Sequence, residues 1–124
     1  MEKKELGKTS IGMEANVAAL LAYSVGWVTG LIFFLIEKEN KFVRFHALQS
    51  IIMFGVLSLA GILLSVFFSF FMMIRLTFVF PLFILVGKLL WLAGVVLWIL
   101  MMIKGYQGEK FKLPVIGDIA EKNA

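Results

Sequence analysis

Four polar side chains in one short segment could do chemistry. The stretch KFVRFHALQS, between two long apolar runs, contains Arg44, His46, Gln49 and Ser50. In a helix through this segment, the i, i+3, i+4 spacing places His46, Gln49 and Ser50 on one face. A histidine transfers protons near neutral pH, and a serine one helical turn away is the start of a nucleophile–base pair.

The charges around the segment argue against catalysis. The nearest carboxylates, Glu37 and Glu39, precede the helix on the expected water side, so no acid is placed to orient His46. The same segment suits the start of a membrane helix, where Arg44 contacts lipid phosphate and the polar face joins helices together. We therefore predict no enzymatic activity and interpret the four residues as a functional face of anchors and helix contacts.

Composition sets the environment in which this segment must lie. Of 124 residues, 61% are hydrophobic and only 16% are charged, which is well outside the usual range of soluble domains. Residues 15–36 carry no formal charge, and residues 45–103 carry only Arg75 and Lys88. A helix crosses the hydrocarbon core in about 20 residues and satisfies its own backbone hydrogen bonds. The sequence therefore predicts an all-α integral membrane helical bundle, formed as one domain over residues 1–124.

Three transmembrane helices fit the apolar runs, near residues 16–36, 45–70 and 82–103. Arg75 favours a turn around residues 72–81, because a lone arginine at the centre of a span costs at least about 2.5 kcal/mol. Pro81 suits the first turn of the third helix. An additional short span over residues 66–82 stays open as an alternative. The tail, residues 104–124, mixes apolar side chains with lysines and is predicted to be amphipathic and interfacial.

The distribution of lysine and arginine predicts the orientation in the cell membrane. With three spans, the first loop and the C-terminal tail share one side, which carries Lys38, Lys41, Arg44, Lys104, Lys110, Lys112 and Lys122. The opposite side carries Lys3, Lys4, Lys8 and Arg75. Seven against four predicts the N-terminus outside and the C-terminus in the cytoplasm.

Small residues are predicted to hold the helices together, because lipid is as apolar as leucine and close backbone approach drives pairing. A stripe in the first span recurs every four residues and consists of Ala18, Ala22, Gly26 and Gly30. The second span has Gly61, Ser65 and Ser69 at the same interval. We expect these two stripes to pair, within the chain or between copies, with hydrogen bonds across the bundle from Asn16, Tyr23 and Thr29.

Lys88 lies within the third span, and no apolar run contains a carboxylate to neutralise it. One interpretation is that its long stem snorkels to the outer headgroups. The other is an anion or polar-headgroup contact inside the bundle. With no Cys and one His, the chain lacks the ligands of ordinary metal sites, and we expect no metal, cofactor or nucleic acid. The expected partners are the lipid bilayer, including anionic headgroups, and either further copies of the chain or other membrane proteins.

Several motifs resemble a known family. FVRFHALQS, which follows EKEN, and GYQGE and LPVIG near the C-terminus resemble the small prokaryotic membrane proteins grouped with the twenty-kilodalton Tic-like family of chloroplast import components. The resemblance covers nearly the whole chain and implies a multi-pass membrane protein of uncharacterised activity. The plant member, a component of inner-envelope protein import, has four helices, whereas this chain is predicted to have three.

Two functions are compatible with these features. The first is a non-enzymatic protein that assembles with itself or with other membrane proteins, in protein translocation or insertion as the resemblance implies. The second is an oligomeric transporter or channel for an ion or small solute, with a polar path lined by Lys88, His46, Gln49 and Asn16. Three helices are too few for a pore within one chain, so the transporter requires several copies.

Overall fold

The computed structural model describes residues 6–124, which fold into five α-helices and contain no strand. The helices are α1 (Ala15–Ser24), α2 (Trp27–Ile36), α3 (Lys41–Met73), α4 (Phe80–Tyr106) and α5 (Ile116–Asn123), with a 3-10 turn over Thr77–Val79 before α4. The predicted all-α class is confirmed. The course of the helices differs from the prediction.

The first apolar run is broken in the middle and does not form one helix. Between Ser24 and Trp27 the chain turns at Gly26, whose φ of 63° and ψ of −140° are readily adopted only by glycine. The Gly26 N–H donates to the carbonyl of Tyr23 at 3.3 Å. The Thr29 hydroxyl lies within hydrogen-bonding distance of the carbonyl of Ala22, in α1, and of that of Gly26 at the break. These bonds satisfy the turn locally, so an uncharged run can reverse inside an apolar environment.

The two arms, α1 and α2, fold back on each other as a helical hairpin. Just before α1, Ser10 donates its N–H and its hydroxyl to the carboxylate of Glu37, just after α2, at 2.9 Å each. At the opposite end, a Cβ placed on Gly26 would lie 3.7 Å from the ring of Phe54 in α3. Each ten-residue arm is about 15 Å long, about half of the hydrocarbon core. The predicted continuous helix over residues 16–36 therefore does not form, because the hairpin returns to the end of the molecule from which it starts.

The two long helices, α3 and α4, form a second and taller hairpin. With 33 and 27 residues they are about 50 and 40 Å long. Along this pair, Gly94 faces Leu57 and Gly87 faces Leu64. Both helices are long and apolar enough to cross a membrane, and their apolar segments are almost entirely exposed, unlike the core helix of a soluble protein. The predicted spans over residues 45–70 and 82–103 lie within them.

The turn between α3 and α4 lies where Arg75 predicts it. Arg75 adopts a positive φ of 63°, and Pro81 stands in the first turn of α4. Nearby, the ring of Phe68 packs against those of Phe80 and Phe83 at centroid distances of 5.7 and 5.5 Å. Residues 66–82 are thus the end of α3, the turn and the start of α4, and the additional short span does not form. We call the turn, residues 74–79, the tip.

The remaining connections gather at the opposite end, which we call the charged end (residues 6–14, 37–40 and 107–124). Asn40 donates to the carbonyls of Leu6 and Lys8 at 2.8 and 3.2 Å. Asn16, at the start of α1, donates to the carbonyl of Tyr106 at the end of α4, at 3.1 Å. Both tails therefore lie on one side of the two long helices. The structure does not support the predicted N-terminus outside and C-terminus in the cytoplasm, because both tails lie at the same end of α3 and α4.

The two small-residue stripes do not pair with each other within the chain. Ala18 and Ala22 are fully buried in the core between α1, α2 and α3, and a Cβ on Gly30 would lie 2.9 Å from the carbonyl oxygen of Ala47. A Cβ on Gly61 would meet no atom within 4 Å, and the hydroxyl of Ser65 bonds only back to its own helix. Ser69, on the same stripe, is exposed. Within one chain the predicted pairing does not form, because the hairpin stops at Phe54, before the second stripe begins. Pairing between copies stays a prediction.

The close approach at Gly30 gives a testable prediction. Gly30→Ala is expected to lower the free energy of unfolding by roughly 1–3 kcal/mol, because the added methyl overlaps Ala47 and Ser50. Gly61→Ala is the matched control, and its helix propensity raises stability by up to about 1 kcal/mol. Thermal unfolding in detergent measures both. Equal melting temperatures for the two variants would contradict the close packing of α2 on α3.

Candidate functional site

Three fully buried polar side chains, Tyr23, His46 and Gln49, meet where α1 contacts α3. Nε2 of His46 lies 2.9 Å from the carbonyl oxygen of Glu109. Because a carbonyl only accepts hydrogen bonds, Nε2 carries the proton and Nδ1 is an acceptor. The Tyr23 hydroxyl donates to that Nδ1 at 2.8 Å. The imidazole is therefore held as one neutral tautomer.

Gln49 completes the network and connects it to the C-terminal segment. Its Nε2 donates to the Tyr23 hydroxyl oxygen at 3.1 Å and to the carbonyl of Phe111 at 2.9 Å. Its Oε1 accepts the N–H of Leu113 at 3.0 Å. Every polar atom of the three side chains is paired, as buried polar groups require. We call Tyr23, His46 and Gln49 the polar cluster.

The polar cluster holds chain segments together and leaves no free proton acceptor. The rings of Phe42 and Phe45 pack edge-on against the imidazole at centroid distances of 4.7 and 5.0 Å. The Ser50 hydroxyl donates to the carbonyl of Gly26 at 3.2 Å and not to His46. The nucleophile–base pair suggested by the spacing therefore does not form. Chemically, the arrangement can position residues 109–113 against α1 and α3.

Arg44 also binds the protein's own backbone. Its Nη1 donates to the carbonyls of Phe34 and Glu37 at 3.0 and 2.8 Å, and its Nε donates to that of Ala124 at 2.9 Å. The guanidinium lies 4.2 Å from the centre of the Phe34 ring. A cation at the C-terminus of a helix is favourable, and here it caps α2. The contact of this guanidinium with lipid phosphate stays a prediction.

Glu37 is a site that the sequence analysis placed in water and that the structure buries completely. Its carboxylate accepts the N–H groups of Ser10, Glu39 and Asn40, each at 2.9 Å. Burial raises the pKa of the Glu37 carboxyl, but these donors outweigh burial and hold the pKa below its ordinary value. In the sequence, Asn40 could have indicated this burial. It caps α3 by accepting the N–H of Val43 and thus fixes a tight loop after Glu37.

Glu37 is expected to make stability depend on pH. Because its pKa is lower in the folded state, its contribution is present above the unfolded pKa of about 4.5 and is lost as the pH falls through the folded pKa. At neutral pH, Glu37→Gln should destabilise the protein by roughly 1.5–3 kcal/mol, as for hydrogen bonds to charged groups. The difference from the unsubstituted protein should shrink in acid. Glu39→Gln, at an exposed position, is the control. If the stability difference between Glu37→Gln and the unsubstituted protein were the same at low pH, Glu37 would not be buried in its ionised form.

The other predicted residues lie apart from the polar cluster. Lys88 is exposed on α4, next to Gly87, which faces Leu64. Asn16 is fully buried beside Tyr106, and its Oδ1 has no hydrogen-bond partner among the described residues. Trp98, which the sequence analysis did not single out, donates its indole N–H to the carbonyl of Tyr23 at 2.8 Å. Within residues 6–124, no group of acidic, histidine or cysteine side chains converges as a metal site would require.

The C-terminal tail packs on the protein itself. In α5, which contacts α3, Gly117 and Ala120 are buried, whereas Ile119 is exposed, as is Val115 just before the helix. The lysines of this segment pair with acids at its surface, with a Lys112–Glu121 distance of 2.9 Å, and such exposed pairs add little stability. The contact of this tail with the membrane surface stays a prediction.

Comparison with known proteins identifies the sequences to which this chain is similar. The sequence profile of the magnetosome magnetite crystal formation protein family matches residues 8–120. A UPF0132 membrane protein of Methanocaldococcus jannaschii is 46% identical over 117 residues, covering 94% of each chain. A UPF0132 membrane protein of Archaeoglobus fulgidus is 40% identical over 110 residues, covering 89% of this chain and 95% of its own length. No solved structure matches the chain.

These matches overturn the resemblance to the Tic-like chloroplast import family. The profile that covers almost the whole chain is that of a different family, and the relatives are archaeal membrane proteins. The motifs on which the Tic-like resemblance rested lie next to each other in the fold. His46 and Gln49 of FVRFHALQS bind the backbone of residues 109–113. Such motifs reflect a packing arrangement, which carries no information about import.

Proposed function

Because this chain belongs to the magnetosome magnetite crystal formation protein family and its archaeal relatives are membrane proteins, we propose that it is a non-enzymatic membrane protein that acts through the shape and contacts of its helices. The observation that carries this proposal is the polar cluster. Its donors and acceptors bind one another and the backbone of the C-terminal segment. A translocation role is left out, because the resemblance that implied it is wrong.

In the proposed topology the chain crosses the bilayer twice, and α1 and α2 re-enter from the cytoplasmic side. The positive-inside rule supports this orientation. The tip carries Arg75 alone, whereas the charged end and the adjoining helix turns carry Lys8, Lys38, Lys41, Arg44, Lys104, Lys110, Lys112 and Lys122. Lys3 and Lys4, also counted from the sequence, lie outside the described residues. Both tails would therefore be cytoplasmic.

The exposed side chains support a position for the bilayer along the helices. The outer face of α2 is apolar, with Trp27 and Leu35 51% and 59% exposed, and it needs lipid around it. The inner boundary would then lie near Arg44, at the end of α2. Leu64 is about 30 Å further along α3, one hydrocarbon thickness away, at the level of Lys88. This supports snorkelling of Lys88 to the outer headgroups, and tilt would absorb the remaining helix length.

Cysteine labelling tests this topology cleanly, because the chain has no cysteine of its own. Lys8→Cys, Thr77→Cys and Lys122→Cys each change an exposed residue. In intact cells a membrane-impermeant maleimide is expected to label only residue 77, and after lysis all three. Labelling of residue 8 without residue 122 in intact cells would instead support three spans.

The transporter alternative receives no support from the geometry. Lys88 lies on the exposed surface of α4, whereas His46 and Gln49 are enclosed in the polar cluster near the opposite end of the helices. Three of the residues expected to line one polar path thus lie in two separate places. We therefore do not propose transport.

A further inference from the structure

The half of the molecule next to the charged end contains more helices than the half next to the tip. From the charged end to the level of Phe54 and Trp98, four helices lie side by side, because α1 and α2 pack against α3 and α4. Beyond that level only α3 and α4 continue, for about 28 Å. In the proposed two-span topology, on which this inference rests, the inner leaflet would hold four helices and the outer leaflet two.

The molecule would occupy a larger area in the inner leaflet than in the outer leaflet. A helix with side chains is about 10–12 Å in diameter, so each occupies a cross-section of about 80–110 Å² in the plane of the membrane. The α1–α2 hairpin therefore adds about 160–220 Å² to one leaflet only. Such a molecule is a wedge whose wide end lies at the cytoplasmic surface.

The wide end is held rigidly enough to act as a wedge. Ser50 of α3 donates to the carbonyl of Gly26 at the apex of the hairpin, at 3.2 Å. Trp98 of α4 donates to the carbonyl of Tyr23, at 2.8 Å. At the other end, Ser10 and Glu37 close the hairpin. The hairpin is thus fixed at its apex and at its ends, and it would displace lipid instead of spreading flat on the surface.

We propose that this protein stabilises membranes that curve with the cytoplasmic leaflet on the convex side. In such a membrane the headgroups of the convex leaflet are spread apart, and a molecule that is wider in that leaflet fills the extra area. The same molecule is disfavoured where its wide end lies on the concave side. The partner of this wedge-shaped molecule is a highly curved lipid bilayer.

The experiment measures how the protein distributes between flat and curved membrane. Purified Lys122→Cys and Thr77→Cys proteins are reconstituted into giant vesicles of phosphatidylcholine and phosphatidylglycerol, and an impermeant dye is added from outside. The dye then marks copies with the charged end outward in the first case and copies with the tip outward in the second. Narrow tubes are pulled from the vesicles, and protein fluorescence is compared with that of a lipid dye.

Copies labelled at residue 122 are expected to be enriched several-fold in the tubes, where the outer leaflet is convex, and copies labelled at residue 77 are expected to be depleted. Equal distribution of both populations, or the same sign for both, would overturn the wedge. The cellular labelling separates the two proposals. If only residue 77 is labelled in intact cells and the tubes show no sorting, the topology stands and the wedge is wrong.

Discussion

Replacing Gln49 with methionine is expected to lower the free energy of unfolding by roughly 3–5 kcal/mol, because three hydrogen bonds are lost, two buried and one partly buried, and unmade buried bonds are costly. The partners in these bonds are the Tyr23 hydroxyl, the carbonyl of Phe111 and the N–H of Leu113. Methionine has a similar shape and apolar character, so the change removes polar contacts without opening a large cavity. Thermal unfolding in detergent measures the loss.

The same substitution should release the C-terminal segment before the helices separate. Residues 109–113 are held to α3 by Gln49 and His46, so trypsin should cleave after Lys110 and Lys112 faster in the Gln49→Met protein. Ser65→Ala is the control, because that hydroxyl is bonded only to Gly61 of the same helix. Unchanged melting and cleavage in the Gln49→Met protein would show that the polar cluster does not fasten the segment.

Gly26→Val is expected to change the topology itself. The backbone at Gly26 has a φ of 63° and a ψ of −140°, and a residue with a side chain in such a region costs about 1–3 kcal/mol or more. The uncharged run over residues 15–36 is long enough to form one continuous spanning helix instead. A measurable fraction of copies should then place residue 8 outside, where Lys8→Cys would be labelled in intact cells.

Gly55→Val provides the control for this result, because Gly55 lies in α3 and an added Cβ there meets no atom within 4 Å. That variant should keep residue 8 inaccessible from outside. Copies that gain a third span would also have three helices in each leaflet, and their sorting into curved tubes should disappear. Should Gly26→Val lose stability while residue 8 stays inside, the turn at Gly26 would be a packing requirement and not the determinant of re-entry.

Much of the architecture was determined by local chemistry that the sequence displays. The lengths of the uncharged runs required helices, since a backbone in lipid must satisfy its own hydrogen bonds. Arg75 and Pro81 marked the turn between α3 and α4, because an arginine is costly in mid-membrane and a proline is tolerated at the start of a helix. The spacing of His46, Gln49 and Ser50 placed them on one helix face, but it did not show what they would bind.

The course of the first apolar run was decided only by the tertiary structure. The hydrophobicity of a segment does not show whether its chain continues straight or reverses. The same uncharged residues therefore suit one helix across the bilayer or two arms that turn at Gly26. The choice is made by contacts between residues far apart in the chain, such as Ser10 with Glu37 and Asn40 with Leu6. Those contacts bury a carboxylate that the sequence placed in water, bring both tails to one side and give the molecule unequal halves. A pattern of residue types cannot show this, because each contact depends on where the rest of the chain has already folded.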